Sequence, residues 1–282
     1  QYRLVRRIGS GGMGVVHLAT DPRGQQVALK VLRTQLDADA KARLRLAREF
    51  STLSWIRHPG IAEVLDADVE ADPPYLVTRF VPGDTLESRV HSQGPLSPGE
   101  VIDLGVELAD ALNAIHAAGV VHRDVKPPNV MLVPDGGPVL IDFGIAHVVD
   151  EIRLTMTGLV MGTPGYLSPE IYAGNAVTTA ADWWGWGATL TFAVTGRQPF
   201  GQGPIEAVME RARCGQVDVE GVPEPLRSAL RAACTVRPTD RPTGDDLAGL
   251  LLGGVGGGPP VPPGRTGGDG QDRPGASRRS GA

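Results

Sequence analysis

Cysteine is scarce in this chain of 282 residues: Cys214 and Cys234 are the only two. They have neither metal-ligand spacing nor a catalytic neighbourhood, which argues for two reduced thiols in a cytosolic fold. No apolar run approaches the length of a membrane span, and no signal peptide opens the sequence. Charge of one sign is also missing in any quantity. Lys and Arg number 27 against 32 Asp and Glu, and the formal charge of −5 argues against a nucleic-acid surface. What is present is a hydrophobic content of 41%, enough for a sizeable core. The length permits one large domain or two smaller ones.

The ends carry their own information. The chain begins with Gln1 rather than Met and reads as a piece excised from a longer protein. From Gly253 to Ala282 more than half the positions are Gly or Pro, with almost no large apolar side chains. Such a segment cannot bury enough surface to offset its ordering entropy. Residues 253–282 are therefore expected to form a disordered linker after a domain spanning 1–252.

Chemistry-bearing residues fall in three places. The first is Gly9-Ser10-Gly11-Gly12-Met13-Gly14. Residues 2 to 9 read as a strand and Val15 to Ala19 as another, so the last glycine runs into β-branched residues rather than opening a helix. That favours a hairpin over a dinucleotide-binding turn. Glycines there let backbone N–H groups close over phosphates, although an ordinary glycine-rich hairpin would look the same. A third strand, Gln26 to Leu32, places Lys30 in an apolar run, as a snorkelling edge residue or as a cation with an anionic partner. In residues 38 to 57, Leu46, Phe50 and Leu53 form a stripe at helical spacing, and Glu49 shares that face. A carboxylate so placed needs a cation. Lys30 is one candidate, and an exposed pair with Arg45 is the bland alternative.

The second place follows a helix predicted over 98 to 118. Ser97, Pro98 and Glu100 supply a capping box with proline at its first position, flanked by Leu96 and Val101, and Gly119 stops the helix. Beyond it lies His122-Arg123-Asp124-Val125-Lys126-Pro127-Pro128-Asn129. The third place is Asp142-Phe143-Gly144. Beyond Asn129, Val130 to Val133 and Val139 to Asp142 flank a Pro134-Asp135-Gly136-Gly137 turn and read as a hairpin. Folding back brings Asn129 and Asp142 together, and an amide oxygen beside a carboxylate suits Mg²⁺. Asp124 is then free to orient and deprotonate a hydroxyl, and Lys126 to balance charge on a phosphoryl group. Downstream, three tryptophans within Asp182 to Gly187 mean core packing.

In this order the three places resemble the signature set of the protein kinase family, over roughly residues 2 to 250. The resemblance is greatest to the eukaryotic-like Ser/Thr kinases of actinobacterial type. It implies an α+β, two-lobed fold: a small antiparallel β lobe with one helix at about 1–80 and a larger, mainly helical lobe at about 84–252. It implies ATP with Mg²⁺, or Mn²⁺ in its place, and transfer of the γ-phosphoryl group to Ser or Thr hydroxyls of proteins. The nucleotide would lie against Ile8, Gly9, Ser10, Gly11, Gly12, Met13, Gly14, Val16, Ala28, Lys30, Thr78, Arg79, Val81 and Met131. Thr78 would guard the rear pocket. Arg79 stands where the family usually has Glu, at a hinge whose adenine contacts come from backbone.

The resemblance also favours the Lys30–Glu49 pair and makes Lys30, Glu49, Asp124 and Lys126 catalytic, with Asn129 and Asp142 on the metal. Thr155 and Thr157 would be autophosphorylated in an activation segment from Asp142 to Glu170, through self-association of the chain. Arg123 would receive the phosphate. Thr163 would shape the peptide groove, Asp182 would hold the catalytic loop, and Arg241 would pair with Glu170. The domain would be cytoplasmic, and in such kinases the linker often leads to a membrane span, here beyond residue 282. A pseudokinase would be expected to lack Lys30, Asp124 or Asp142. A small-molecule phosphotransferase would not need the Gly-Thr-Pro-Gly-Tyr segment at 162–166 or Ser168-Pro169-Glu170.

Overall fold

The computed structural model describes residues 1–11, 14–32, 40–134, 136–143 and 163–253, without the side chains of 40–42 and 45. The expected linker, at 254–282, lies outside the described residues.

The first lobe is a five-stranded antiparallel sheet. Its strands are β1 (Arg3–Gly11), β2 (Gly14–Thr20), β3 (Gln26–Leu32), β4 (Val64–Asp68) and β5 (Tyr75–Arg79), in the order β1-β2-β3-β5-β4. Gly11 lies opposite Gly14, so the glycine-rich segment is the turn of the β1–β2 hairpin, as its β-branched continuation requires. Helix α1 (Ala40–Leu53) supplies Leu46, Phe50 and Leu53 to the core, each at most 5% exposed. It ends earlier than the 38–57 stripe suggested, at Leu53, while residues 38 and 39 lie outside the described residues.

The second lobe is mainly helical. A two-residue strand β6 (Asp84–Thr85) leads directly into α2 (Leu86–Gln93), with Thr85 Oγ1 capping the helix at Ser88 N–H, 3.1 Å away. Helix α3 (Pro98–Ala117) starts at the capping box read from the sequence. Ser97 N–H donates to Glu100 Oε2 at 2.7 Å, and Glu100 N–H to Ser97 Oγ at 3.3 Å. Such a cap contributes about 1 kcal/mol. A 3₁₀ turn at Pro127–Asn129 precedes β7 (Val130–Leu132) and β8 (Pro138–Leu140), and these two strands form a small sheet with β6.

The remaining helices are α4 (Pro169–Tyr172), α5 (Thr179–Thr195), α6 (Ile205–Arg213), α7 (Leu226–Ala233) and α8 (Gly244–Leu251). Helix α5 is apolar all round and is buried from Ala181 to Ala193, the position such a helix must take in a soluble fold. Its tryptophans are core residues: Trp186 Nε1–H donates to Gly105 O at 2.9 Å, and Trp184 stacks on Phe200 with centroids 5.1 Å apart. Both cysteines are free, and burial pushes the Cys234 thiol up to about 12. No helix of the described residues is long and apolar enough to cross a membrane.

Candidate active site

The site is held from beneath by one buried carboxylate. Asp182, in the first turn of α5, is 1% exposed. Its Oδ2 accepts from His122 N–H at 2.7 Å and lies 2.7 Å from His116 Nε2, while Oδ1 accepts from Arg123 N–H at 2.7 Å. Gly185, one turn further along α5, permits the approach. A Cβ there would come 2.7 Å from the carbonyl oxygen of Val125. The catalytic loop is thus pinned through its backbone, and Arg123 is held with φ at 68°, a left-handed conformation rare for a residue with a side chain. His122 is fully buried, with its ring 5.1 Å from that of Phe143. Burial pushes its imidazole pKa down, so the ring stays neutral.

Asp124 sits at the centre of the loop. Its Oδ2 takes a hydrogen bond from Asn129 Nδ2 and an ion pair from Lys126 Nζ, each at 2.8 Å. Asn129 Nδ2 also donates to Asp124 O at 2.8 Å. With its nitrogen so used, the amide presents Oδ1, which has no protein partner among the described residues. The β7–β8 register, Val130 opposite Leu140, continues one residue further in a bond from Ile141 N–H to Asn129 O at 2.9 Å. That bond sets Asn129 beside the residue preceding Asp142. Asp142 itself is left-handed, with φ at 61°, and its Oδ1 accepts from Lys30 Nζ. Its Oδ2 has no partner among the described residues. One amide oxygen and one carboxylate oxygen left uncommitted are a donor set that fits a hard divalent cation.

The structure corrects the expected Lys30–Glu49 pair. Lys30, on β3, is 9% exposed and bonds Asp142. Glu49 is turned inward and bonds Arg123 Nη1 through Oε1 at 2.7 Å. Both inward-facing charges therefore have partners, but each has exchanged the other for a group of the second lobe. The alternative partner for Glu49, the Arg45 side chain, lies outside the described residues.

Above this group, Ile8, Gly9, Val16, Ala28 and Thr78 are half-buried along β1, β2, β3 and β5, with Val16 opposite Lys30 and Ala28 opposite Thr78. Val81 and Met131 are buried below, in a cluster with Ala62 and Val139. The glycines divide by role. Gly14 is structural, because a Cβ there would strike the Val31 carbonyl. A Cβ on Gly11 would meet nothing within 4 Å, and one on Gly9 only Val16 at 3.7 Å. Ser10 is exposed. Gly12, Met13, Gly144, Thr155 and Thr157 lie outside the described residues. Arg79 turns its exposed side chain to Ile61 O at 3.3 Å, while its N–H bonds Glu63 O at 2.9 Å.

At the far edge, Thr163 is exposed and its carbonyl accepts from Tyr166 N–H at 3.2 Å. Arg241 holds Glu170 in a fork, Nη1 to Oε1 at 2.9 Å and Nη2 to Oε2 at 3.2 Å. Sequence reasoning missed His116. It lies in the last turn of α3, one residue past the buried Ile115, and it stacks edge-on against Trp183 while meeting Asp182. Only its proximity to the end of the helix that carries the catalytic loop could have singled it out.

Two lobes, a glycine-turned hairpin whose Val16 lies opposite Lys30, and an Asp–Lys–Asn cluster with a second carboxylate on Lys30 define a nucleotide-dependent phosphotransferase fold. The protein kinase domain profile matches residues 2–249, and the chain belongs to that family. Within it, the chain is a catalytic domain of the actinobacterial, eukaryotic-like Ser/Thr type. It is 42% identical over 252 residues to the serine/threonine-protein kinase AfsK of Streptomyces coelicolor, covering 89% of this chain and 31% of that protein. It is 40% identical over 220 residues to PknA of Mycobacterium tuberculosis, covering 76% and 51%. With PknB of Mycobacterium leprae it shares 36% over 252 residues, covering 86% and 40%. The chain therefore spans about a third to a half of these relatives. A crystal structure of Rad53 in complex with AMP-PNP superposes with a TM-score of 0.74 at 22% identity, over 88% of this chain and 64% of that one, which shows the shared fold.

Proposed function

We propose that this domain transfers the γ-phosphoryl group of ATP to Ser or Thr hydroxyls of proteins, with Asp124 as the base. The observation that carries the assignment is the Asp124 carboxylate held at 2.8 Å by both Lys126 and Asn129. Asp124 would orient the acceptor hydroxyl and take its proton as the oxygen–phosphorus bond forms and the bond from the γ-phosphorus to the bridging oxygen breaks. Lys126 would face charge on the transferred group. Lys30 would steady the nucleotide phosphates, and Ile8, Val16, Ala28, Val81 and Met131 would sandwich the base. A divalent cation, held through Asn129 Oδ1 and Asp142, would neutralise phosphate charge when bound.

Glu49 would act on Lys30 only after leaving Arg123. Arg123 would then be free for a phosphate on Thr155 or Thr157, added by a second copy of the chain. Protein substrates, a cytoplasmic location and membrane anchoring of the longer protein belong to the same proposal. The test is incubation of the chain with ATP, Mg²⁺ and a generic Ser/Thr-rich protein, followed by phosphosite mapping. Asp124→Asn should retain ATP binding and lose about 10²–10⁴-fold in rate. Near wild-type turnover in that variant would remove Asp124 from the mechanism. Phosphate on an aminoglycoside but not on protein would change the substrate class.

A further inference from the structure

Of the four tryptophans, Trp183, Trp184 and Trp186 are at most 5% exposed, whereas Trp55 is 81% exposed. Trp55 sits in the turn that continues α1, with its N–H bonded to Thr52 O at 3.1 Å. Positions 44, 48, 51 and 55 share one helical face, and all four are exposed. Leu44, at 61% exposure, and Trp55 therefore stand on the same outward stripe, about 16 Å apart by helical rise. Between them lie Ser51 and the Arg48 guanidinium, which has no acidic partner among the described residues. The helix also carries Lys41, Arg43 and Arg45 against a single acid, Glu49; Arg43 pairs with Glu70 at 3.5 Å, and Glu49 is turned inward to Arg123.

We infer that this outer face of α1 is a docking surface for an acidic protein segment that carries bulky apolar side chains. Two apolar anchors with an uncompensated cation between them specify such an occupant: its apolar groups cover Leu44 and Trp55, and its carboxylates meet Arg48. A second copy of this chain fits less well, because a two-fold contact along this face brings Arg48 no carboxylate: positions 44, 48, 51 and 55 include no acid. The chain's own 254–282 segment does not fit, since it carries four Arg and two Asp. A bilayer is disfavoured by geometry. Leu46, Phe50 and Leu53 already commit the other side of the helix to the core, which leaves two apolar side chains to insert. The surface lies on the back of the helix that carries Glu49, away from the phosphate site.

The test is selection of a random displayed peptide library on the 282-residue chain. It is followed by fluorescence anisotropy of the enriched peptide with wild type, Trp55→Ala and Arg48→Glu. The expected result is enrichment of acidic sequences with bulky apolar positions, and binding that weakens as salt rises. Trp55→Ala should lose about thirtyfold or more and Arg48→Glu about tenfold or more, with melting temperatures unchanged. Iodide should lose its access to Trp55 when the peptide binds. The inference is overturned if no such peptide is enriched, or if either variant binds as wild type does. It is overturned equally if the Trp55-dependent binding goes to phosphatidylserine vesicles or to a second copy in sedimentation.

Discussion

Replacing Arg241 with Met should destabilise the domain far more than a surface ion pair would. The Arg241 side chain is fully buried, and that of Glu170 is 5% exposed. Beyond its fork onto Glu170, the guanidinium donates to Thr235 O at 3.1 and 3.0 Å and to Ala180 O, and it lies 5.3 Å from the Trp184 ring centroid. The substitution leaves a buried carboxylate without its cation and takes the guanidinium's donors from the Thr235, Val236 and Ala180 carbonyls. Breaking a buried pair in this way costs about 3–5 kcal/mol. For a domain of this size that is a fall in melting temperature of roughly 6–20 °C, toward the lower end because Met fills part of the space. Glu170→Gln should cost less, because Arg241 keeps its carbonyl acceptors and the Trp184 face. The combined change should cost less than the two single losses added together, since the stranded carboxylate is gone. Scanning calorimetry on the three variants, with refolding checked, measures each term. A single Arg241→Met variant that melts within about 2 °C of wild type would refute the reasoning, as would losses that simply add.

Three further outcomes follow from the site. Asp142→Asn should weaken ATP binding in the presence of Mg²⁺ more than in its absence, measured by calorimetric titration; equal losses would count against a metal role. In the nucleotide-free chain, Glu49→Gln and Arg123→Met should be non-additive in thermal stability while Glu49→Gln and Lys30→Met add, because the 2.7 Å pair joins the first two residues; coupling between Lys30 and Glu49 instead would contradict the observed pairing. Phosphatase treatment should lower the peptide-kinase rate, and Thr155→Ala with Thr157→Ala should mimic it; an unchanged rate after mass spectrometry confirms loss of phosphate would dismiss the switch.

Local rules made much of this legible from the residues alone. The capping box fixes the start of α3, the apolar circumference of α5 fixes its burial, and the turn at 134–137 fixes the β7–β8 register that brings Asn129 toward Asp142. What stayed hidden depends on distance in space. Strand β6 is two residues long and exists only because β7 pairs with it, so no periodicity could announce it. The side chain of His116 has meaning only through Asp182, which lies 66 positions away. The choice of partner by Lys30 and Glu49 is the sharpest case. Periodicity places both inward, and desolvation demands a counter-charge for each, but two carboxylates and two cations converge there. Which pairs form depends on where α1 stands over the second lobe, to within a few Å. Helical spacing carries no such information.

That convergence bears on how the site works. Two side-chain-bearing residues, Arg123 and Asp142, are held left-handed, each at a cost of about 1–3 kcal/mol. At Arg123 the strain is offset locally. The bond from its N–H to the buried Asp182 carboxylate is worth about 1.5–3 kcal/mol, and the neighbouring bond from His122 adds to it. The backbone of the catalytic loop is therefore set by α5, and it does not depend on what the Arg123 side chain touches. That side chain is 20% exposed and can exchange Glu49 for another anion without moving Asp124. Asp142 has no equivalent anchor among the described residues, where its side chain bonds Lys30. A cation that drew Asp142 away would free Lys30, and Glu49 could reach Lys30 only by giving up Arg123. The three exchanges are linked because each charge released needs a new partner before burial makes it costly. On this reasoning nucleotide, metal and a loop phosphate should each favour the others' binding, and the fixed part of the mechanism is the Asp182-held loop beneath them.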